Sequence, residues 1–356
     1  MKIGILTYHR AHNYGAVLQC YALKQYLQSL GHSVIIVDYK PPYFHYGLFV
    51  WYKWLSLNPL KLIRKIKAQR RTFAISKKRY NAFDKFIEDY LLPKYVNLNK
   101  EQKGFDAFIL GSDQIWRKNG DSFDPIFWGE FKAAKHTKLI SYAASMGRAS
   151  LSVSEQQQVS KWLKRFSSIL VREDSLKALL SPLSEKEVEV VVDPTLLLSS
   201  QEWNRIAIKP KYNKPYILVY QVIKNSATLA IAREAAKRIG AEIIEIASKV
   251  EIVQSDHKII FDVSPCEFLG WVSEASMVVT TSFHGTAFSI IYRRPFVSIR
   301  QNQPSDLRIS SILTSLNLEE RFVDANNWTW NQMYFEIPNP LRMSVDFSKE
   351  QINLAL

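Results

Sequence analysis

Eleven short runs dominated by apolar residues, most of them leading into a helix-periodic stretch, set the narrowest limit on how this chain folds. They are Lys2–Thr7, Val34–Val37, Ala107–Leu110, Leu139–Ala143, Ile169–Val171, Val188–Val192, Tyr216–Val222, Glu242–Ile246, Lys258–Phe261, Met277–Thr281 and Phe296–Ile299. A run such as Val34–Val37, apolar and β-branched at every position, belongs to a strand covered on both faces. Between the runs the apolar spacing turns helical. Ala16, Cys20, Leu23, Leu27 and Leu30 follow the first run, with Gly31 in the place of a helix C-cap, and Gly240 closes Ser226–Ile239. Alternation of this kind implies a parallel sheet covered by helices.

The chain has 356 residues, which suggests two such units. The polar stretch Ser199–Lys214, with Pro210 and Pro215 at its end, divides them. The expected fold is α/β: two doubly wound Rossmann-like domains, residues 1–205 and 206–330, and a C-terminal extension at 331–356. Further helices are expected at Leu60–Leu91, with a break inside it, and at Ser154–Phe166, Gly285–Tyr292 and Asp306–Leu316. Another is expected at Ser264–Ala275, with Ser264 as N-cap and Pro265 in the first turn.

Charge is unevenly spread. The net charge is +14, and ten basic residues with no acid among them lie between Lys53 and Arg79. Tyr43, Phe44, Phe49, Trp51 and Trp54 flank this basic helical insertion of about 53–91. Such a segment either docks on anionic membrane or presents a solvated basic face. No nucleic-acid reader motif accompanies the charge, so nucleic acid is not an expected partner. The two cysteines, Cys20 and Cys266, make no metal or disulfide pattern. The N-terminus lacks a signal-peptide pattern, and no apolar stretch reaches the roughly 18 residues of a membrane span. A cytoplasmic location, peripheral at most at the inner membrane face, is the expectation.

Five clusters of chemistry-bearing residues sit where strands end. In Thr280–Thr286 an apolar strand runs through Ser282 to His284, with Gly285 opening a helix; an imidazole there stands over helix N–H groups that favour an anion. In Gly111–Trp116 a glycine precedes Ser112, Asp113 and Gln114. In Val171–Ser175, Arg172 offers a planar fork that matches carboxylate or phosphate. Arg308 lies early in the last helix and adds a cation. Asn13, Tyr14 and Gly15 occupy the place of a Rossmann phosphate loop without its glycine pattern, so dinucleotide binding is a poor reading. A polar loop there suits a sugar. Each cluster also has a plain structural reading: a core histidine, an Asp113 turn cap, an Arg–Glu surface pair, a solvated helix residue, and a helix cap at Asn13 or Gly15.

Taken together, the motifs resemble the polysaccharide pyruvyl transferase family. The resemblance rests on Asn13–Ala16 with Leu18-Gln19 and Tyr21–Leu23, Gly111–Trp116, Ser141–Gly147, Val171–Glu173, Asp193–Thr195 and Ser282–Gly285, in order, over roughly residues 1–325. It implies a GT-B-like pair of Rossmann domains with an interdomain cleft. It also implies phosphoenolpyruvate as donor and a pyruvate ketal built on a hexose or N-acetylhexosamine of a surface glycan. His284, Arg172 and Arg308 match the family's donor-handling residues.

On that reading His284 is the catalytic acid and Asp113 the base. Arg172, Arg308, Ser282 and the N–H near Gly285 hold the donor, and Asn13, Tyr14 and Gln114 the acceptor. The first domain forms the acceptor side and the second the phosphoenolpyruvate side. The acceptor is expected to be a glycan, lipid-linked if the basic segment docks on membrane. No cofactor and no metal are expected. A nucleotide-sugar glycosyltransferase and a non-catalytic glycan-binding protein stay open beside it.

Overall fold

The computed structural model describes residues 1–43, 59–102, 104–147, 150–251, 253–303, 306–325, 327–329 and 341–356, with backbone alone for 59–71 and 341–343. Two parallel sheets of six strands each form the frame. The first holds β1 (Lys2–Leu6), β2 (Ser33–Ile36), β3 (Ala107–Leu110), β4 (Lys138–Ala144), β5 (Ser168–Val171) and β6 (Val188–Val190), in the order β2-β1-β3-β4-β5-β6. The second holds β7 (Tyr216–Gln221), β8 (Glu242–Ala247), β9 (Lys258–Ile260), β10 (Met277–Thr280), β11 (Phe296–Ile299) and β12 (Phe322–Val323), in the order β12-β11-β10-β7-β8-β9. Every expected strand is present. The short edge strand β12, of two residues, was not foreseen.

The helices are α1 (Tyr14–Ser29), α2 (Pro59–Phe86), α3 (Val153–Leu163), α4 (Asp174–Leu180), α5 (Ser200–Asn204), α6 (Ser226–Ile239), α7 (Pro265–Glu274), α8 (Phe283–Ile291), α9 (Asp306–Ser315) and α10 (Leu341–Ala355). The reasons are local. Ser152, Ser199 and Ser264 each form a capping box with the glutamate three positions on, at the starts of α3, α5 and α7. Gly240 closes α6 in the left-handed region at φ 66°. The break expected in the long basic helix falls at Ile87, where α2 passes into a π-turn over Ile87–Leu91. Two short helices, α4 and α5, were not expected, and α10 forms in what was expected only as a C-terminal extension.

The chain is thus α/β, two doubly wound domains in a GT-B-like arrangement. In each sheet the strand order reverses once, between β1 and β3 and between β7 and β10. Crevices open there at the carboxyl ends of the strands.

A continuous apolar cluster crosses the domain boundary. Tyr14 at the start of α1 stacks on Phe268 of α7 at 4.4 Å and meets Tyr220 edge-on. Its hydroxyl donates to Val263 O at 2.8 Å and accepts from Arg79. Arg79 also donates to the carbonyls of Ala247, Phe261 and Ser248. Trp203 packs edge-on against Phe288. The chain then returns: Ile352 and Ala355 of α10 are buried in the same cluster, and Val192 N donates to Ser348 Oγ. Such aromatic pairs contribute about 0.5–1.5 kcal/mol each beyond their buried area.

Candidate active site at the facing switch points

The two crevices meet. Gly15, in the first turn of α1, lies so close to His284, in the first turn of α8, that a Cβ on Gly15 would stand 1.9 Å from the imidazole Nδ1. Only glycine admits the ring there. Gly285 has a similar constraint on its other side, where a Cβ would meet Thr280 Oγ1 at 2.3 Å. His284 is therefore held between α1 of one domain and the end of β10 in the other, with 7 % of its surface exposed.

Around it stand groups from both domains. Arg172, at the end of β5, donates through Nη1 to Asp193 Oδ2 at 2.7 Å. Its Nε lies 3.5 Å from Glu173 and its Nη2 3.9 Å from Asp113. Asp193 Oδ2 is 3.8 Å from His284 Nε2. The guanidiniums of Arg172 and Arg308 lie 5.2 and 5.8 Å from the centre of the Phe283 ring. Glu173 accepts from Ser145 Oγ. A cavity of about 470 Å³ opens beside this cluster, lined by Arg172, Asp193, Phe283 and Arg308 and by the α9 and α10 residues Ile312 and Phe347.

The electrostatics follow from burial. Burial lowers the His284 pKa to about 4, and Arg172 and Arg308 add to that against the pull of Asp193 and Asp113. The imidazole is neutral at pH 7, so its approach to Asp193 is an ion pair only once a proton arrives. Burial, then the charge of Arg172, brings Arg308 down to about 10. Burial opposes charge on Arg172 as well, but Glu173, Asp193 and Asp113 raise its pKa. Glu173 is itself pushed up by burial, against Arg172 and Ser145.

Four buried nitrogens of this cluster make no hydrogen bond: Nε and Nη2 of Arg172, Nε of Arg308 and Nε2 of His284. Buried donors are rarely left so.

The structure brings His284, Arg172, Arg308 and Asp113 together and treats the other candidates differently. Ser282 caps α8, its Oγ accepting from Gly285 N at 3.4 Å, so that N–H already has a partner. Asn13 caps α1, accepting from Gly15 N and Ala16 N. Tyr14 is placed elsewhere than expected: its ring is 0 % exposed and its hydroxyl engaged, so it fastens the domains and presents nothing to a sugar. Gln114 is half-buried beside Gly147, within 3.5 Å of Arg117. Asp113 sits at φ 70° with its carboxylate accepting from Gln114 N.

Asp193 and Glu173 had no place in the expected site. Their one sequence signal was membership in the Asp193–Thr195 and Val171–Glu173 motifs. Of the basic segment, residues 53–58 and the side chains of 59–71 lie outside the described residues, as do Phe44, Phe49, Trp51 and Trp54. At its end Lys77 and Lys78 are exposed, whereas Arg79 is buried between the domains.

The family model for polysaccharide pyruvyl transferase matches residues 13–303. The chain belongs to the polysaccharide pyruvyl transferase family. As a family member it is a transferase acting on polysaccharide. No curated protein matches it. Among solved structures it is similar to the glycosyltransferase SnogD from Streptomyces nogalater, with 13% identity, TM-score 0.43, and 99% of this chain and 95% of that one covered. It is also similar to UDP-GlcNAc 2-epimerase from Neisseria meningitidis bound to UDP-GlcNAc, with 11% identity, TM-score 0.47, and 99% and 100% covered. No described helix of this family member is long and apolar enough to cross a membrane.

Proposed function

We propose that the protein transfers a pyruvyl group from phosphoenolpyruvate to a hexose or N-acetylhexosamine of a cell-surface polysaccharide, forming a ketal and releasing phosphate. The observation that carries this reading is the set of four buried nitrogens without a hydrogen bond, from two arginines and a histidine, beside a cavity of about 470 Å³. A small anion bearing a carboxylate and a phosphate meets that need. The donor cluster draws on both domains, so we place the donor between residues 1–205 and 206–330 rather than on the second alone.

In this mechanism Arg172 and Arg308 hold the donor's two anionic groups. The donor's charge offsets both guanidiniums and raises the imidazole pKa, so His284 takes up a proton as the donor binds. His284 passes that proton to the methylene carbon, and the neighbouring carbon becomes oxocarbenium-like. One sugar hydroxyl adds there and loses its proton to Asp113. A second hydroxyl displaces phosphate, which leaves with its bonding electrons and takes up that hydroxyl's proton, and the cyclic ketal closes. Peripheral binding to an anionic membrane carrying a lipid-linked acceptor belongs to this proposal.

The test is thermal unfolding with phosphoenolpyruvate or with a nucleotide sugar. Ligand at 100 times its Kd stabilises by about 2.7 kcal/mol. Stabilisation by phosphoenolpyruvate, with proton uptake at pH 7 in weak buffer, is expected. Stabilisation by the nucleotide sugar alone would favour a glycosyltransferase. That second reading has one observation of its own: a cavity of about 640 Å³ at the carboxyl ends of β7–β9, lined by Asn225, Arg233, Glu245 and His257.

A further inference from the structure

Asp193 touches both halves of the cluster through one carboxylate. The side chain is wholly buried. Oδ1 accepts from Thr195 N at 3.0 Å and from Thr195 Oγ1 at 2.8 Å, which pins the group in one orientation. Oδ2 accepts from Arg172 Nη1 at 2.7 Å and from Ser112 Oγ at 3.2 Å. The same oxygen lies 3.8 Å from His284 Nε2, across the domain boundary. The opposite ring nitrogen, Nδ1, is pressed against Gly15 in the first turn of α1. Positive charge is disfavoured at a helix N-terminus. The two nitrogens of one ring thus face opposite fields.

We propose that Asp193 is a positioning residue of the transfer reaction: its Oδ2 orients Arg172 toward the donor and keeps the proton of His284 on Nε2, the nitrogen facing the cluster. The tautomer of a histidine is set by what its nitrogens face, and a buried carboxylate is the usual means. Four ionisable groups act on this imidazole: Asp193, Asp113, Arg172 and Arg308. Asp113 is 20 % exposed and accepts from Gln114 N, whereas the Asp193 carboxylate is fully enclosed and rigidly held. A donor drawn to Arg172 therefore meets a ring whose proton already points inward. The catalytic role rests on the pyruvyl-transfer reading; the tautomer does not.

The experiment is nitrogen NMR on the full chain labelled with ¹⁵N-histidine, with His284→Gln identifying the His284 signals. In the wild type at pH 7 the Nε2–H tautomer is expected to dominate, and added phosphoenolpyruvate to convert it to imidazolium. In Asp193→Asn the Nδ1–H form should rise, and the pKa of the donor-bound ring should fall by about 1 unit or more. Thr195→Val keeps the carboxylate but removes one bond that holds it, so it should shift the tautomer ratio the same way by less; it serves if Asp193→Asn does not fold. An unchanged tautomer ratio in either folded variant overturns the proposal. A wild-type ring that ignores phosphoenolpyruvate would instead sink the pyruvyl-transfer reading, and the tautomer comparison would still decide what Asp193 holds.

Discussion

Two regions of one domain interface behave in opposite ways. Around Tyr14 and Arg79 the polar atoms find protein partners: the Arg79 guanidinium alone donates to the Tyr14 hydroxyl and to three carbonyls of the second domain. Around Arg172, Arg308 and His284 four buried nitrogens make no hydrogen bond, and the carboxylates near three of them stand 3.5–3.9 Å away. Burial without partners costs stability, typically about 1–3 kcal/mol per group. The first region is built to hold the domains together. The second is held together by the first and left incomplete, as a site for an outside anion must be.

The comparison breaks if the two regions respond alike to substitution. The largest expected effect is on turnover: His284→Ala should slow phosphate release by about 10²–10⁴-fold while costing clearly less stability than a truncation at Tyr14. Tyr14→Ala should do the reverse in kind, costing about 3–5 kcal/mol in denaturant unfolding by emptying the space against Phe268 and Phe83. Equal losses of stability in both variants would erase the distinction.

A smaller effect concerns pH. The folded-state pKa of His284, about 4, lies below the ordinary histidine value, so the unfolded chain binds the proton first. The stability this contributes is complete above pH about 6.5 and is lost as pH falls toward 4. At most it is roughly 3 kcal/mol. Glu173, raised by burial, has the opposite sign. Comparing wild type with His284→Gln isolates the histidine: the slope of stability between pH 6.5 and 4 should flatten in the variant, and an unchanged slope would mean the ring is not held neutral. The smallest effect is at the cap of α8, where Ser282→Ala should cost about 1 kcal/mol.

Much of this was legible in the chain. Strands buried on both faces must be apolar throughout, so β1, β3 and β10 announced themselves, and polar residues directly after them marked where a ligand meets the sheet. His284, Arg172 and Asp113 stood out for that reason, and Arg308 as a cation early in the helix after Phe296–Ile299. Tyr14 misled, because an aromatic beside a polar loop reads the same whether it faces a sugar or the Phe268 ring of another domain. Asp193 gave little warning, since an Asp-Pro pair after a strand looks like a turn. Arg79 was one basic residue in a run of them.

The one-dimensional pattern determined the secondary structure, the parallel sheets and the strand ends at which chemistry can gather, because periodicity and capping act over a few neighbouring residues. The packing of the domains decided the rest. It chose which side of His284 meets a carboxylate and which meets Gly15, placed Arg172 beside Arg308, and sealed Tyr14 away. Those outcomes depend on contacts between residues far apart in the chain, in a low-dielectric interior where a single misplaced charge is costly, and no local pattern encodes them.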